Sequence, residues 1–441
     1  MKRIRLAVSA IVLATLAACG GGGDGNQAPA VQYSQMVVFG DSLSDVGTYG
    51  GGAGTASAYG VGLYGGGKYN VNGANGKNWT ELVSAQLGLG APCAAETGLT
   101  PPGGSPLAGL AVTPTMHAGC YNYAQGGARV TIQYGPGNAA LGCSGSNTAG
   151  CLGQLTVPVM TQIQNHLNAV GGTFSGNELV MVLAGANDVF MNLGAVSPKI
   201  KAWVTGVLPL TTAEITALSL NPSQINAWNA YSASVATLIN GSFGGSFPLN
   251  QTQLATLTAP QLGAYSAVVQ VASALAASEA VSAMTTAATD LVTDVKTQIL
   301  AKGAKRVAVI TVPDISVTPY LVSQGTDAAS LANLLVRTFN TVLTQGLANT
   351  DGVMIIDAYT ASQEQHADPA HYGLTNVTQS ACDLTNPKTN PTSSSLTCNA
   401  NNLIAGDTTY YLFADGVHPT PYGYKLFAQL VSAKLAARGW L

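Results

Sequence analysis

The sequence predicts an α/β fold of three layers, a mostly parallel sheet covered by helices on both faces. Three observations carry that reading. Short apolar, β-branched runs recur at residues 36–39, 179–183, 306–312 and 353–356. Apolar residues at helical spacing precede the last two runs and follow the fourth, the pattern of helices that alternate with buried strands. Apolar residues make up 47% of the 441, enough to bury one sizeable core.

The elements follow in chain order. Lys2, Arg3 and Arg5 precede a short apolar stretch at residues 6–18, an export signal too short to span a membrane, with Cys19 next. Leu16-Ala17-Ala18-Cys19 resembles the lipobox of bacterial lipoproteins. The resemblance implies that Cys19 carries a diacylglyceryl group and becomes the mature N-terminus; an ordinary secretory signal is the alternative. Residues 19–33 are Gly-rich and read as a flexible leash, reaching roughly 20 Å. Gly20 is not the Asp associated with inner-membrane retention, so an outer-membrane anchor is expected, or secretion if Cys19 stays unmodified. One domain then occupies residues 34–441.

Met36-Val37-Val38-Phe39 reads as the first strand, ending at Gly40. Residues 78–87 read as a helix: Asn78 caps it with Glu81 three residues on, and Gly88 stops it. Residues 189–300 form an insertion, read as Ala/Ser-rich helices beside the core, with an apolar lid as the sharper alternative. Leu291, Val295 and Ile299, then Leu331, Leu335, Phe339 and Val342, mark helices before the third and fourth strands. Residues 360–411 are rich in Asn, Ser and Thr and read as a polar loop. Thr420 caps a closing helix over residues 421–438.

Composition excludes some functions. Charged residues make up only 8%, against about 25% in ordinary domains, and the net charge is −3. That is no footprint for nucleic acid. No uninterrupted apolar run reaches 18 residues, so no spanning helix is expected after the signal. Of seven cysteines, a lipidated Cys19 leaves six, an even number that suits disulfides in an oxidising compartment. Fifteen pairings exist; the local one joins 93 to 120, 143 to 151 and 382 to 398. No Cys-x2-Cys pair or close pair of histidines suggests a metal, and no cofactor is expected.

Four short motifs carry chemistry. Phe39-Gly40-Asp41-Ser42-Leu43-Ser44-Asp45 follows the first strand, so Ser42 faces the crevice where open α/β sheets bind ligands. Asp415-Gly416-Val417-His418-Pro419 sets a carboxylate where it can accept the imidazole Nδ1–H, leaving Nε2 to take a proton from a serine. Gly185-Ala186-Asn187-Asp188 closes the second strand with an amide able to donate to an oxyanion. Asn122-Tyr123-Ala124-Gln125-Gly126-Gly127-Ala128 offers unobstructed backbone N–H groups for the same task. Each motif alone has a bland alternative: a capping turn, a surface Asp-x-x-His, a loop. Their order along one α/β pattern is the stronger signal.

On these four blocks the chain resembles the GDSL, or SGNH, hydrolase family. Asn75-Gly76-Lys77-Asn78-Trp79 and the block around His418 look like its bacterial lipase/phospholipase branch. The resemblance spans residues 36–437. It implies a flavodoxin-like sheet with Ser42 as nucleophile, His418 as base and Asp415 as its orienter. The oxyanion hole it implies is the Ser42 N–H, the N–H of Gly126 or Gly127, with Gly127 preferred, and the Asn187 side chain. Other members of this branch carry a C-terminal membrane barrel; the chain stops at Leu441, and none is expected.

Rival motifs fit poorly. No Gly-x-Ser-x-Gly elbow occurs. Gly60-Val61-Gly62-Leu63-Tyr64-Gly65 matches a dinucleotide pattern but follows no strand. Tyr69 stands where a phosphate loop over residues 62–68 would need Ser or Thr. His117, His166, His366 and His371 read as structural or exposed. The expectation is a monomeric, envelope-anchored serine ester hydrolase acting on acyl esters or lipids through an acyl-serine. Its partners are that substrate and the membrane holding its lipid anchor. A phospholipase or acyltransferase of the same family is one alternative; a catalytically inactive surface-binding lipoprotein is another.

Overall fold

The chain is seen in a computed structural model, which describes residues 31–50, 66–99, 112–136, 156–206, 210–218, 220–386, 388–390 and 393–441. The signal segment, Cys19 and the pair Cys143 and Cys151 lie outside the described residues.

Apolar runs without polar interruption become strands. In chain order the first half gives β1 (Gln35–Gly40), α1 (Trp79–Gln86), β2 (Glu96–Leu99), β3 (Val112–Met116), α2 (Val159–Ala169) and β4 (Glu178–Leu183). Helices α3 (Ala186–Gly206), α4 (Thr212–Ala217), α5 (Pro222–Ser242), α6 (Gln251–Ala255) and α7 (Ala259–Asp294) follow, and α7 runs on as a π-helical turn, Val295–Leu300. The remainder is β5 (Val307–Ile310), α8 (Pro319–Ser323), α9 (Thr326–Leu347), β6 (Val353–Ile356), α10 (Ala358–Ala367), β7 (Asn376–Ser380), β8 (Tyr411–Phe413) and α11 (Pro421–Ala437).

Strands β1, β4, β5 and β6 form one parallel sheet in the order β1-β4-β5-β6. Its register sets Gly40 beside Leu183, Leu183 beside Ile310, and Ile310 beside Ile356. All four carboxyl ends are therefore level, and the loops that follow them share one edge. A segment around Asn122 runs parallel to β1, with Val38 N–H donating to Tyr121 O and Tyr123 N–H to Val38 O. Alternate strand residues face opposite ways. Val37, Phe39, Val180, Val182, Val307 and Val309 pack with α2, α7 and α9 on one face. Val38, Leu179, Met181, Ala308 and Ile310 pack with α1 and α11 on the other. This is the expected α/β fold with a mainly parallel sheet, and all four anticipated strands are present. Helix α1 has its capping box: the Asn78 side chain accepts from Thr80 and Glu81 N–H, and Glu81 accepts from Asn78 N–H.

Residues 189–300 contain a second apolar core, with Trp203, Trp228, Ile239 and Val268 among its buried members. Helix α7 threads both cores. Val268, Val271 and Leu275 belong to the second core, while Met284, Ala288 and Leu291 belong to the first.

Two expectations need correction. Ala259–Leu300 is long and apolar enough to cross a membrane by length and composition. Scattered Ser, Thr and Gln hide it from a count of uninterrupted apolar residues, since they break the run without adding charge. Here it packs against α3, α5 and α9. Residues 360–411, expected as loop, hold most of α10 and the strand β7, which pairs in parallel with β8. Helix α10 buries little beyond Ala358, so apolar periodicity could not reveal it. Asp357 caps it instead, accepting from Thr360 N–H.

Candidate active site

The turn after β1 begins with a close approach. A Cβ on Gly40 would sit 2.6 Å from Leu183 O, so only glycine lets β1 and β4 end this near each other. Gln162 clamps the same residue, accepting from Gly40 N–H at 2.9 Å and donating to Gly40 O at 2.8 Å. Ser42 follows in a turn closed by Ser44 N–H on Asp41 O, and its residue is 9% exposed.

His418 lies 376 residues after Ser42, and Ala414 N–H donates to His418 O at 2.7 Å, closing the loop that holds Asp415 and His418. Asp415 Oδ1 accepts from the N–H groups of Val417 (2.9 Å) and His418 (2.8 Å). The His418 Nδ1 lies 2.8 Å from Asp415 Oδ2, and its Nε2 lies 2.8 Å from Ser42 Oγ. The structure thus brings Ser42, His418 and Asp415 into one hydrogen-bonded row. Burial would raise the Asp415 carboxyl. The charge of His418 and hydrogen bonds from His418 and Ser395 outweigh it and hold the group well below the usual carboxylate range. Asp415 is therefore ionised at neutral pH.

The candidate oxyanion donors converge on the same edge. Asn187 is not on the end of the strand, as expected, but in the first turn of α3, where it is buried. One of its Nδ2 hydrogens goes to Ala128 O at 2.8 Å, which ties it to the Gly block. Asp188 reinforces the tie, accepting from Arg129 Nε at 2.9 Å and Val130 N–H at 3.0 Å. Gly126 N–H is committed to Asp45 Oδ2 at 2.9 Å. Gly127 has φ +83°, a conformation that favours glycine, and among the described residues its N–H has no hydrogen-bond acceptor. That difference favours Gly127 over Gly126 as a donor to an incoming oxyanion.

An apolar pocket is lined by Leu43, Ala186, Ile315, Val417 and Phe427, and by none of Ser42, His418, Asp415, Gly127 or Asn187. Leu43, Ala186 and Val417 are the chain neighbours of Ser42, Asn187 and His418. Asp41, fully buried next to Ser42, is pushed up to about 7 by burial, against the Leu43 N–H bond and the His418 charge. Among the described residues no group of three or more His, Cys, Asp or Glu could hold a metal ion. Two expected disulfides are present, Cys93–Cys120 and Cys382–Cys398.

Sequence reasoning missed three partners. One is Arg129, whose signal was available: a charged residue directly after a Gly block in a chain only 8% charged. The others are Tyr69, whose ring lies against His418, and Ser395, whose backbone N–H reaches Asp415 at 2.7 Å. Neither has a signature in the sequence.

The model of the family described as GDSL-like Lipase/Acylhydrolase matches residues 266–431, a span that includes Asp415 and His418 and begins after Ser42, Gly127 and Asn187. No curated protein matches the chain.

Proposed function

From membership of the GDSL/SGNH hydrolases, which that match supports, we propose that the chain is a serine carboxylic ester hydrolase working through an acyl-serine intermediate. The observation that carries the reading is the row Ser42 Oγ, His418 Nε2, His418 Nδ1 and Asp415 Oδ2, with 2.8 Å at each hydrogen bond. As Ser42 Oγ attacks the ester carbonyl, His418 Nε2 takes its proton, and Asp415 stabilises the imidazolium. The carbonyl oxygen becomes an oxyanion held by the Ser42 and Gly127 N–H groups and by Asn187 Nδ2. His418 returns the proton to the leaving alkoxide, releasing the alcohol and leaving Ser42 acylated. Water then repeats the attack with His418 again as base, and the carboxylic acid departs. A panel of short-chain, long-chain and phospholipid esters tests the reading, run with wild type and Ser42→Ala. Turnover of any ester that Ser42→Ala abolishes upholds it, and full turnover by Ser42→Ala sinks it.

We also propose that the protein works outside the cytoplasm, tethered through a lipidated Cys19. The disulfides are consistent with an extracytoplasmic location.

A further inference from the structure

Asp415 Oδ2 is held from outside its own loop. Besides His418 Nδ1, it accepts from Ser395 N–H at 2.7 Å and from Ser394 Oγ at 3.3 Å. We propose that Ser395 is a positioning residue for ester hydrolysis. Its backbone N–H fixes the Asp415 carboxylate against His418, and the Cys382–Cys398 bond holds that N–H in place. The proposal rests on the Ser42, His418 and Asp415 reading above.

The placement of the disulfide supports it. Cys382 N–H donates to Ala414 O at 2.9 Å, directly before Asp415, and Ala381 N–H donates to Phe413 O at 2.9 Å. Cys398 lies three residues after Ser395, and its N–H donates to Ser395 O at 3.0 Å. The S–S bond therefore joins the segment paired with the strand that leads to the carboxylate to the turn that carries its donor. That turn is anchored further. Asn72 Nδ2 donates to Ser395 O at 3.1 Å and to Cys398 O at 2.9 Å. Ser395, Leu396, Thr397 and Cys398 are fully buried. An N–H donor to an ionised carboxylate makes a short, strong hydrogen bond. Without it, Oδ2 keeps His418 as its main partner, and the pair loses an external reference for its orientation.

The local backbone allows a test. Ser395 opens a 3-10 turn and follows Ser394 at φ −144°, ψ 160°. An extended residue before, and a first-turn position, are where proline is accepted. Ser395→Pro removes the N–H and sets the ring Cδ in its place, facing the Asp415 carboxylate, so the carboxylate loses its donor and is pushed from its position. Ser395→Ala keeps the N–H and removes only the hydroxyl, which lies near the Asp415 carboxylate but makes no hydrogen bond of good geometry among the described residues. On a short-chain chromogenic ester, Ser395→Pro should lower kcat about tenfold or more, with KM changed by less than about twofold. Ser395→Ala should keep kcat within about twofold of wild type. Wild-type kcat in Ser395→Pro, or equal losses in both variants, overturns the proposal.

Should Ser395→Pro fail to fold, Cys382→Ser with Cys398→Ser carries the test, assayed where its near-ultraviolet circular dichroism is native. A fall in kcat without a change in KM is expected there, and wild-type kcat overturns the proposal. Ser42→Ala, run alongside, separates the two levels. Activity in Ser42→Ala removes the triad reading and this proposal with it. Inactivity there, with wild-type kcat in Ser395→Pro, removes this proposal alone.

Discussion

The ring of Tyr69 lies against the His418 imidazole, centroids 4.6 Å apart and planes inclined by 35°. Tyr69 is itself confined. Tyr424 Oη donates to Tyr69 O at 3.0 Å, and a Cβ on Gly126 would collide with the Tyr69 ring. One aromatic side chain thus touches both the base and the loop that offers the oxyanion donor. An aromatic face also favours a cationic imidazole. Tyr69→Ala should lower kcat by roughly 3- to 10-fold, the worth of one such ring contact. Tyr69→Phe, which keeps the ring, should lose less than Tyr69→Ala. Steady-state kinetics on both variants checks this.

Removal of the reacting groups should grade in a set order. Ser42→Ala and His418→Ala should abolish hydrolysis, and a serine-directed phosphonate should label wild type at Ser42 only. Asp415→Asn should lose on the order of 10⁴-fold in kcat, since the amide favours the wrong imidazole tautomer. Asn187→Ala should cost about 100- to 1000-fold in kcat with little change in KM, as a transition-state donor does. Label on any other serine would refute the assignment.

Stability should fall on the acid side through His166. The ring is buried against Phe174, Tyr123 and Phe39, and burial pushes its pKa down to about 4 from 6.5. A depressed histidine pKa contributes stability that is full above 6.5 and is lost as pH falls towards about 4. The shift corresponds to at most about 3 kcal/mol. Asp41 slopes the other way. Its raised pKa gives a contribution complete below 3.8 and lost as pH rises through about 7. Urea unfolding between pH 4 and 7 should show His166→Phe with a flatter acid-side decline than wild type. An unchanged slope would exclude His166 as the cause.

The Cys382–Cys398 bond spans 16 residues of sequence. The chain-entropy model values such a loop at about 3 kcal/mol. Replacing both cysteines by serine should lower Tm by a few degrees and hasten thermal inactivation. Peptide mapping of non-reduced protein checks the bond itself.

If Cys19 is acylated, the native protein should partition into detergent and sediment with outer-membrane fractions. Cys19→Ala should release it or stall its processing. A soluble native protein whose N-terminus lies beyond Cys19 would refute the tether.

The sheet was legible because β1, β4, β5 and β6 are buried on both faces and leave unbroken apolar runs in the sequence. The site was legible where chemistry sits in side chains close in sequence, as with Asp415 and His418. What stayed hidden has physical reasons. Ser395 acts on Asp415 through a backbone N–H, which every residue but proline possesses. Strand β7, Asn-Val-Thr-Gln-Ser, is mostly polar and pairs with only three residues of β8, so its sequence reads as loop. The partition of α7 between two cores depends on which helices meet it, and its own apolar pattern continues through both.

The separation of 376 residues between the two ends of the Ser42–His418 hydrogen bond also sets a schedule. On the proposed triad, synthesis delivers the nucleophile near the start and its base near the finish. A nascent chain that has already folded its first strands presents Ser42 with no proton acceptor. Contacts this distant in sequence form late in folding, after intervening segments have been ordered. On that reading catalytic competence is the last property the molecule acquires, and a chain cut short before His418 should be inert towards esters, however much of its sheet has assembled.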